Sequence, residues 1–159
     1  MEFIKYPSPN YGLRRADTEI EFVILHYTAM STEKSLERLC DPVHEVSCHY
    51  LLDPSGICYQ LVDDNKRAWH AGYSYWRGYH DLNSRSLGIE LVNSGNENYP
   101  EAQMKSLIKL LQYLIELLSL NPKNVLGHSD IAPARKLDPG KWFNWQKLSD
   151  NGLGLFPEV

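Results

Sequence analysis

Between Gly127 and Gly140 the sequence reads Gly-His-Ser-Asp-Ile-Ala-Pro-Ala-Arg-Lys-Leu-Asp-Pro-Gly. This stretch offers an imidazole at His128, a guanidinium at Arg135, an ammonium at Lys136 and a carboxylate at Asp138. Imidazole and carboxylate are metal-ligand types, and the two cations stabilise anions. Pro133 and Pro139 each remove a backbone donor and push the preceding residue out of the α region, so a shaped loop is expected rather than a helix or strand. It follows the apolar run Asn124-Val125-Leu126, which reads as a short buried strand able to aim His128 from its end. A histidine and an aspartate in a polar loop serve more often as surface groups than as ligands, so the rest of the chain must supply the case.

His26 closes the run Ile20-Glu21-Phe22-Val23-Ile24-Leu25, a β-branched, mostly apolar strand of the kind a sheet covers on both faces. His26, His128 and Asp138 together make a zinc set with one position open to water, catalytic rather than structural in type. Such a site also needs a base for the water proton and a cation for the oxyanion. Lys136 is available for the second task. For the first there is Glu90, alone in the apolar run Ser86-Leu87-Gly88-Ile89-Glu90-Leu91-Val92-Asn93. A carboxylate there must be hydrogen-bonded, ion-paired, close to a metal or at a mouth open to water. By spacing alone, His44, His49, His70 and His80 combine as freely as the chosen pair.

The elements that would position these groups belong to one domain: 159 residues bury a core without disulfides. A net charge of −4 with no basic run argues against a general nucleic-acid binder and for a small or polar ligand. Cys40, Cys48 and Cys58 show no CxxC spacing and read as reduced, structural thiols. The amino terminus has no charged segment leading into an apolar run, and no stretch reaches membrane-spanning length, so a soluble, unexported protein is expected. Residues 1–19 read as an extended arm, 20–148 as the core and 149–159 as an irregular tail. Within the core, a short helix is predicted over Glu33–Cys40, a β-hairpin over Ser47–Leu52 and Ile57–Val62, the longest helix over Pro100–Leu120, and a closing helix over Lys141–Leu148. Residues 64–85 carry Trp69, Tyr73, Tyr75, Trp76 and Tyr79 without regular period; they suit either a groove wall for sugar or peptide or an aromatic plug over the sheet edge.

Five stretches, in order, resemble the zinc-dependent N-acetylmuramoyl-L-alanine amidases of type 2, a family that includes AmpD-like and AmiD-like enzymes and the peptidoglycan recognition proteins. They are Val23–Thr28, Val46–Leu52, Ala68–Gly72, Asn83–Leu91 and Gly127–Gly140. The resemblance implies an α/β fold with a central mixed β-sheet flanked by helices. It implies Zn²⁺ on His26, His128 and Asp138, with Glu90 as catalytic carboxylate and Lys136 stabilising the tetrahedral intermediate. Trp69, His70, Asn83 and Arg135 fall where family members line the glycan and peptide groove, and His49 and Tyr50 where they support the sheet. The implied partners are muropeptides, anhydro-muropeptides or murein, without nucleic acid. Cytoplasmic recycling is the expected setting, periplasmic action the alternative. Recognition proteins that bind without cleaving typically lose a zinc ligand, commonly the one corresponding to Asp138, so its presence here argues for an enzyme. A non-catalytic muropeptide-binding module, suggested by the aromatic loop and by such relatives, is the second reading.

Overall fold

A computed structural model describes residues 1–155; residues 156–159 of the expected tail lie outside the described residues. In chain order the elements are β1 (Ile4–Lys5), β2 (Tyr11–Leu13), β3 (Phe22–Tyr27), α1 (Thr32–Cys40), β4 (Tyr50–Leu52), β5 (Cys58–Gln60), β6 (Lys66–Ala68), α2 (Leu82–Arg85), β7 (Ser86–Leu91), α3 (Glu101–Leu118), β8 (Val125–Gly127), α4 (His128–Ile131) and α5 (Trp145–Ser149). Six strands form a mixed sheet in the order β1-β5-β4-β7-β3-β8, and β2 pairs with β6 beside it. β3 runs parallel to both β7 and β8, whereas β4 and β5 form the expected antiparallel hairpin.

Alternation along β3 and β7 decides what each face of the sheet does. Val23, Leu25, Leu87, Ile89 and Leu91 pack with Met104, Leu107, Ile108, Leu111 and Leu114 of α3 in the largest core cluster. Burying each such side chain contributes roughly 1.5–3 kcal/mol, so α3 is scaffold and secures the sheet from behind. Phe22, Ile24 and His26 therefore point to the opposite face, as do Ser86, Gly88 and Glu90. That face is covered by α1 through Leu36 and Leu39, and by α2 and α4 through Leu82 and Ile131. The register pairs His26 with Glu90 and Leu25 with Gly127. Glu90 consequently stands on one side of His26, and His128, one residue past β8, on the other. All three lie at the carboxyl ends of parallel strands, where open sheets gather their ligands.

Several boundaries follow local signals. Ser31 caps α1, its hydroxyl accepting from the Lys34 amide, and Asp41-Pro42 stops the helix. The longest helix, α3, is present but shorter than predicted: Pro100 is its N-cap rather than part of its first turn, and Ser119 ends it after Leu118 in the left-handed region at φ 52°. Gln103, buried on α3, donates from Nε2 to the Leu52 and Val92 carbonyls, tying β4 to the end of β7.

Elsewhere the structure corrects the expectations. The arm over 1–19 contributes β1 to the sheet edge, parallel to β5, and β2 to the pair with β6. Its Arg14 donates to the carbonyls of Asn83, Ser84 and Ser86. These partners lie 69 to 72 residues away, so no local pattern announces them. β3 continues past His26 to Tyr27. The loop from Gly127 holds one helical turn, α4, because four residues fit before Pro133 acts and Asp130 Oδ2 accepts from the Gly127 amide at 2.8 Å. The closing helix is shorter than predicted and begins after Asn144, whose side chain accepts from the Lys147 amide. Residues 64–85 contain β6 and α2; there Trp76 and Tyr79 pack on the Phe22 and Ile24 side of the core while Tyr73 and Tyr75 are exposed.

Candidate metal centre and active-site cleft

Three donor atoms converge beyond the carboxyl ends of β3 and β8. His26 Nδ1 lies 2.9 Å from His128 Nδ1 and 3.1 Å from Asp138 Oδ2, and His128 Nδ1 is also 3.1 Å from that oxygen. All three residues are buried. The loop brings Asp138 to His128 by folding back on α4: the Ser129 amide donates to the Asp138 carbonyl at 2.9 Å, and the Lys136 amide to that of Ala132.

The donor set fits a divalent cation. Ligands 2.0–2.1 Å from a tetrahedral ion stand about 3.3 Å apart, close to the spacing found. His128 Nε2 donates to the Ala71 carbonyl at 2.9 Å, so a neutral ring presents its Nδ1 lone pair to the triangle. Burial, opposed by Asp138, lowers the His26 pKa to about 4, leaving that ring neutral and able to ligate at ordinary pH. Two lone-pair nitrogens and a carboxylate this close repel unless a positive charge lies between them.

Glu90 sits beside this triangle with its Oε2 shut off from solvent and without a hydrogen-bond partner among the described residues. Burial, then the charge of Asp138, push its carboxyl well above the ordinary value, and Lys136 opposes the shift only in part. A carboxyl that holds its proton more tightly than an ordinary one is suited to act as both general acid and general base. Glu90, Lys136, Trp69, His70 and Arg135 line one cleft of about 450 Å³ together with the three donors. That size suits a small polar ligand.

The remaining residues singled out from the sequence divide by their contacts. Asn83 is absent from the lining of that cleft and lines an adjoining pocket that shares Trp69, His70 and Arg135 with it; its Oδ1 accepts from the amides of His70 and Ala71 at 3.0 and 2.8 Å. Arg135 Nη2 donates to the Ala71 and Tyr73 carbonyls. His49 is fully buried away from the triangle: its Nε2 donates to the Lys66 carbonyl, and its Nδ1 accepts from the Gly88 amide. His44 and His80 are exposed.

Ser86 and Gly88 escaped the sequence reading, although the period-two pattern Ser-Leu-Gly-Ile-Glu-Leu does place both on the face of Glu90. Gly88 leaves room for the His70 ring, since a Cβ there would meet His70 Cγ at 2.5 Å. Gly88→Ala is expected to cost about 1–3 kcal/mol of stability, read from the urea midpoint, and an unchanged midpoint would contradict this packing. The Ala71 carbonyl, which orients His128, has no sequence signal at all.

Three donors able to hold a metal ion, a buried carboxyl beside them and a lysine in the same cleft are the groups that a metal-dependent hydrolase employs. Residues 16–141 match the model of the family Amidase_2, described as N-acetylmuramoyl-L-alanine amidase, and the chain belongs to that family. The N-acetylmuramoyl-L-alanine amidase AmiD of Escherichia coli (strain K12) is 40% identical over 156 residues, spanning 88% of this chain and 56% of the relative. The 1,6-anhydro-N-acetylmuramyl-L-alanine amidase AmpD of Haemophilus influenzae is 31% identical over 159 residues, spanning 88% of this chain and 86% of the relative. Among solved structures, the E. coli AmiD complex with anhydro-N-acetylmuramic acid-L-Ala-D-gamma-Glu-L-Lys aligns with a TM-score of 0.83 at 39% identity, covering 88% of this chain and 60% of that one. No helix among the described residues is long and apolar enough to cross a membrane.

Proposed function

We propose that the chain is a zinc-dependent N-acetylmuramoyl-L-alanine amidase. Its substrate is the amide joining N-acetylmuramic acid, or the 1,6-anhydro form, to L-alanine of the stem peptide, in peptidoglycan degradation or recycling. The observation that carries this reading is the donor triangle of His26, His128 and Asp138 with Glu90 next to it in strand register. The anhydro-muropeptide in the AmiD complex is the substrate precedent.

Zinc held by the three donors supplies a Lewis acid that polarises a carbonyl and lowers the pKa of water. Glu90 takes the proton of the attacking water and passes a proton to the leaving L-alanine nitrogen, so the amide C–N bond breaks to a carboxylate and a free amine. Lys136 places its ammonium by the carbonyl oxygen, where negative charge develops. Trp69 offers an aromatic face to the sugar or peptide. Arg135, with only Nη2 engaged among the described residues, keeps the rest of its fork for a substrate carboxylate, and Asn83 keeps its Nδ2. We assign the reaction to the cytoplasm, as a recycling step, because three free cysteines, two of them buried, suit a reducing compartment; cell fractionation tests that assignment.

The test is mass analysis of products from anhydro-muropeptides and intact murein offered side by side. Free stem peptide is expected, lost on chelation and restored by zinc; intact substrate in the presence of zinc would overturn the proposal. Lys136→Ala is expected to fold and bind zinc with kcat reduced roughly 10²–10³-fold. Wild-type turnover by that variant would take Lys136 out of the mechanism.

A further inference from the structure

His70 lines the cleft and lies against the metal centre, and its hydrogen bonds run in one direction only. The Leu82 carbonyl can only accept, and the Ser86 hydroxyl spends its single proton on it at 2.6 Å. Toward His70 Nε2, 3.2 Å away, Ser86 is therefore an acceptor, and Nε2 carries the proton. A neutral imidazole has one N–H, so His70 Nδ1 turns a lone pair to His26 Nε2 at 2.9 Å. His26 must then hold its own proton on Nε2, which leaves Nδ1 bare and facing His128 and Asp138. The ring is fixed in this pose. Asn83 Oδ1 holds the His70 amide, bare Gly88 accommodates the imidazole, and the ring meets His26 edge-on at 84° with centroids 5.0 Å apart. Both ring nitrogens of His70 are thus engaged by the protein.

We infer that His70 is a positioning residue for the metal centre, with no contact role toward the substrate: through His26 it relays the direction set by the Leu82 carbonyl and Ser86, so that His26 Nδ1 presents a lone pair to the cation. His128 receives the same instruction directly from the Ala71 carbonyl. Each histidine ligand is thereby oriented by a backbone carbonyl, one through a relay of two side chains and one without. The inference rests on the zinc reading proposed above.

Wild-type protein is first loaded with zinc and its affinity measured by chelator competition; a wild type that takes up no zinc overturns the zinc reading itself. In the loaded wild type, long-range proton–nitrogen NMR is expected to place the shared proton on His26 Nε2, with coupling across the hydrogen bond to an unprotonated His70 Nδ1. A proton on His70 Nδ1 overturns the inference. For His70→Ala the zinc dissociation constant is expected to rise roughly 10–100-fold. At saturating zinc, its KM should stay within about threefold of wild type while kcat falls. His70→Asn, whose Oδ1 can accept where Nδ1 stood, is expected to recover most of the zinc affinity. Unchanged zinc affinity in His70→Ala with a raised KM, or no recovery in a folded His70→Asn, overturns the positioning role.

Discussion

Glu90→Gln is expected to slow turnover by roughly 10²–10⁴-fold, the usual worth of a positioned acid–base group, while the chain stays folded and takes up one zinc. Gln matches Glu in size but cannot accept the water proton. Glu90 is outside the donor triangle, so the cation keeps its three protein ligands. Its Oε2 makes no hydrogen bond among the described residues, so the amide breaks no existing contact there. The metal-free proteins should also differ in pH dependence. Burial, and then Asp138, raise the carboxyl well above its ordinary value, so the folded chain holds that proton more tightly than the unfolded chain does. The favourable contribution is present below the unfolded value and is lost as pH rises through the folded one. Urea midpoints of the Gln variant should therefore gain on those of wild type as pH rises above the ordinary carboxylate range. Activity within tenfold of wild type, with zinc bound, would remove Glu90 from the proton transfers; a midpoint difference that does not change with pH would remove the buried-charge argument.

Asp138→Ala should abolish turnover by emptying the centre. Asp138 contributes the single anionic donor of the triangle, and the two neutral imidazoles left behind cannot offset the charge of a divalent ion. Zinc affinity is expected to fall by more than the roughly 10–100-fold typical of losing a group that merely supports a ligand. Metal analysis after dialysis reads the first effect and stem-peptide release the second. The fold should survive, because Ser129 holds the backbone carbonyl of residue 138 and not its side chain. Stoichiometric zinc together with turnover in this variant would exclude Asp138 from the ligand set. Glu90→Gln and Asp138→Ala thus separate two ways of losing activity, with the metal retained in one and lost in the other.

Much of the scaffold is local and was readable. The three- and four-residue steps of Met104, Leu107, Leu111 and Leu114 announce α3, and the turn at Asp53–Gly56 announces the hairpin, because each signal lies within a few residues of its partner. The chemistry of Glu90 was equally visible, since a carboxylate inside an apolar strand has few ways to exist. The arm was misjudged for the opposite reason: β1 and β2 are strands only by virtue of β5 and β6, which lie far along the chain.

For the site, residue types and strand ends nominated His26, His128 and Asp138, and family resemblance selected them over His44, His49, His70 and His80. What the sequence by itself determined is an inventory and a facing: which groups can ligate or move protons, and, through the period-two pattern, which face of a strand carries them. What only the tertiary structure decided is adjacency. The sheet order sets β7 and β8 on either side of β3, so Glu90 and His128 flank His26 although the two histidines are 102 residues apart. It likewise decided that His49 ends in a structural network while His70 reaches His26 Nε2. Side-chain periodicity records only the orientation of a residue on its own strand, whereas its neighbours are set by hydrogen bonds between strands, which exist once the chain has closed.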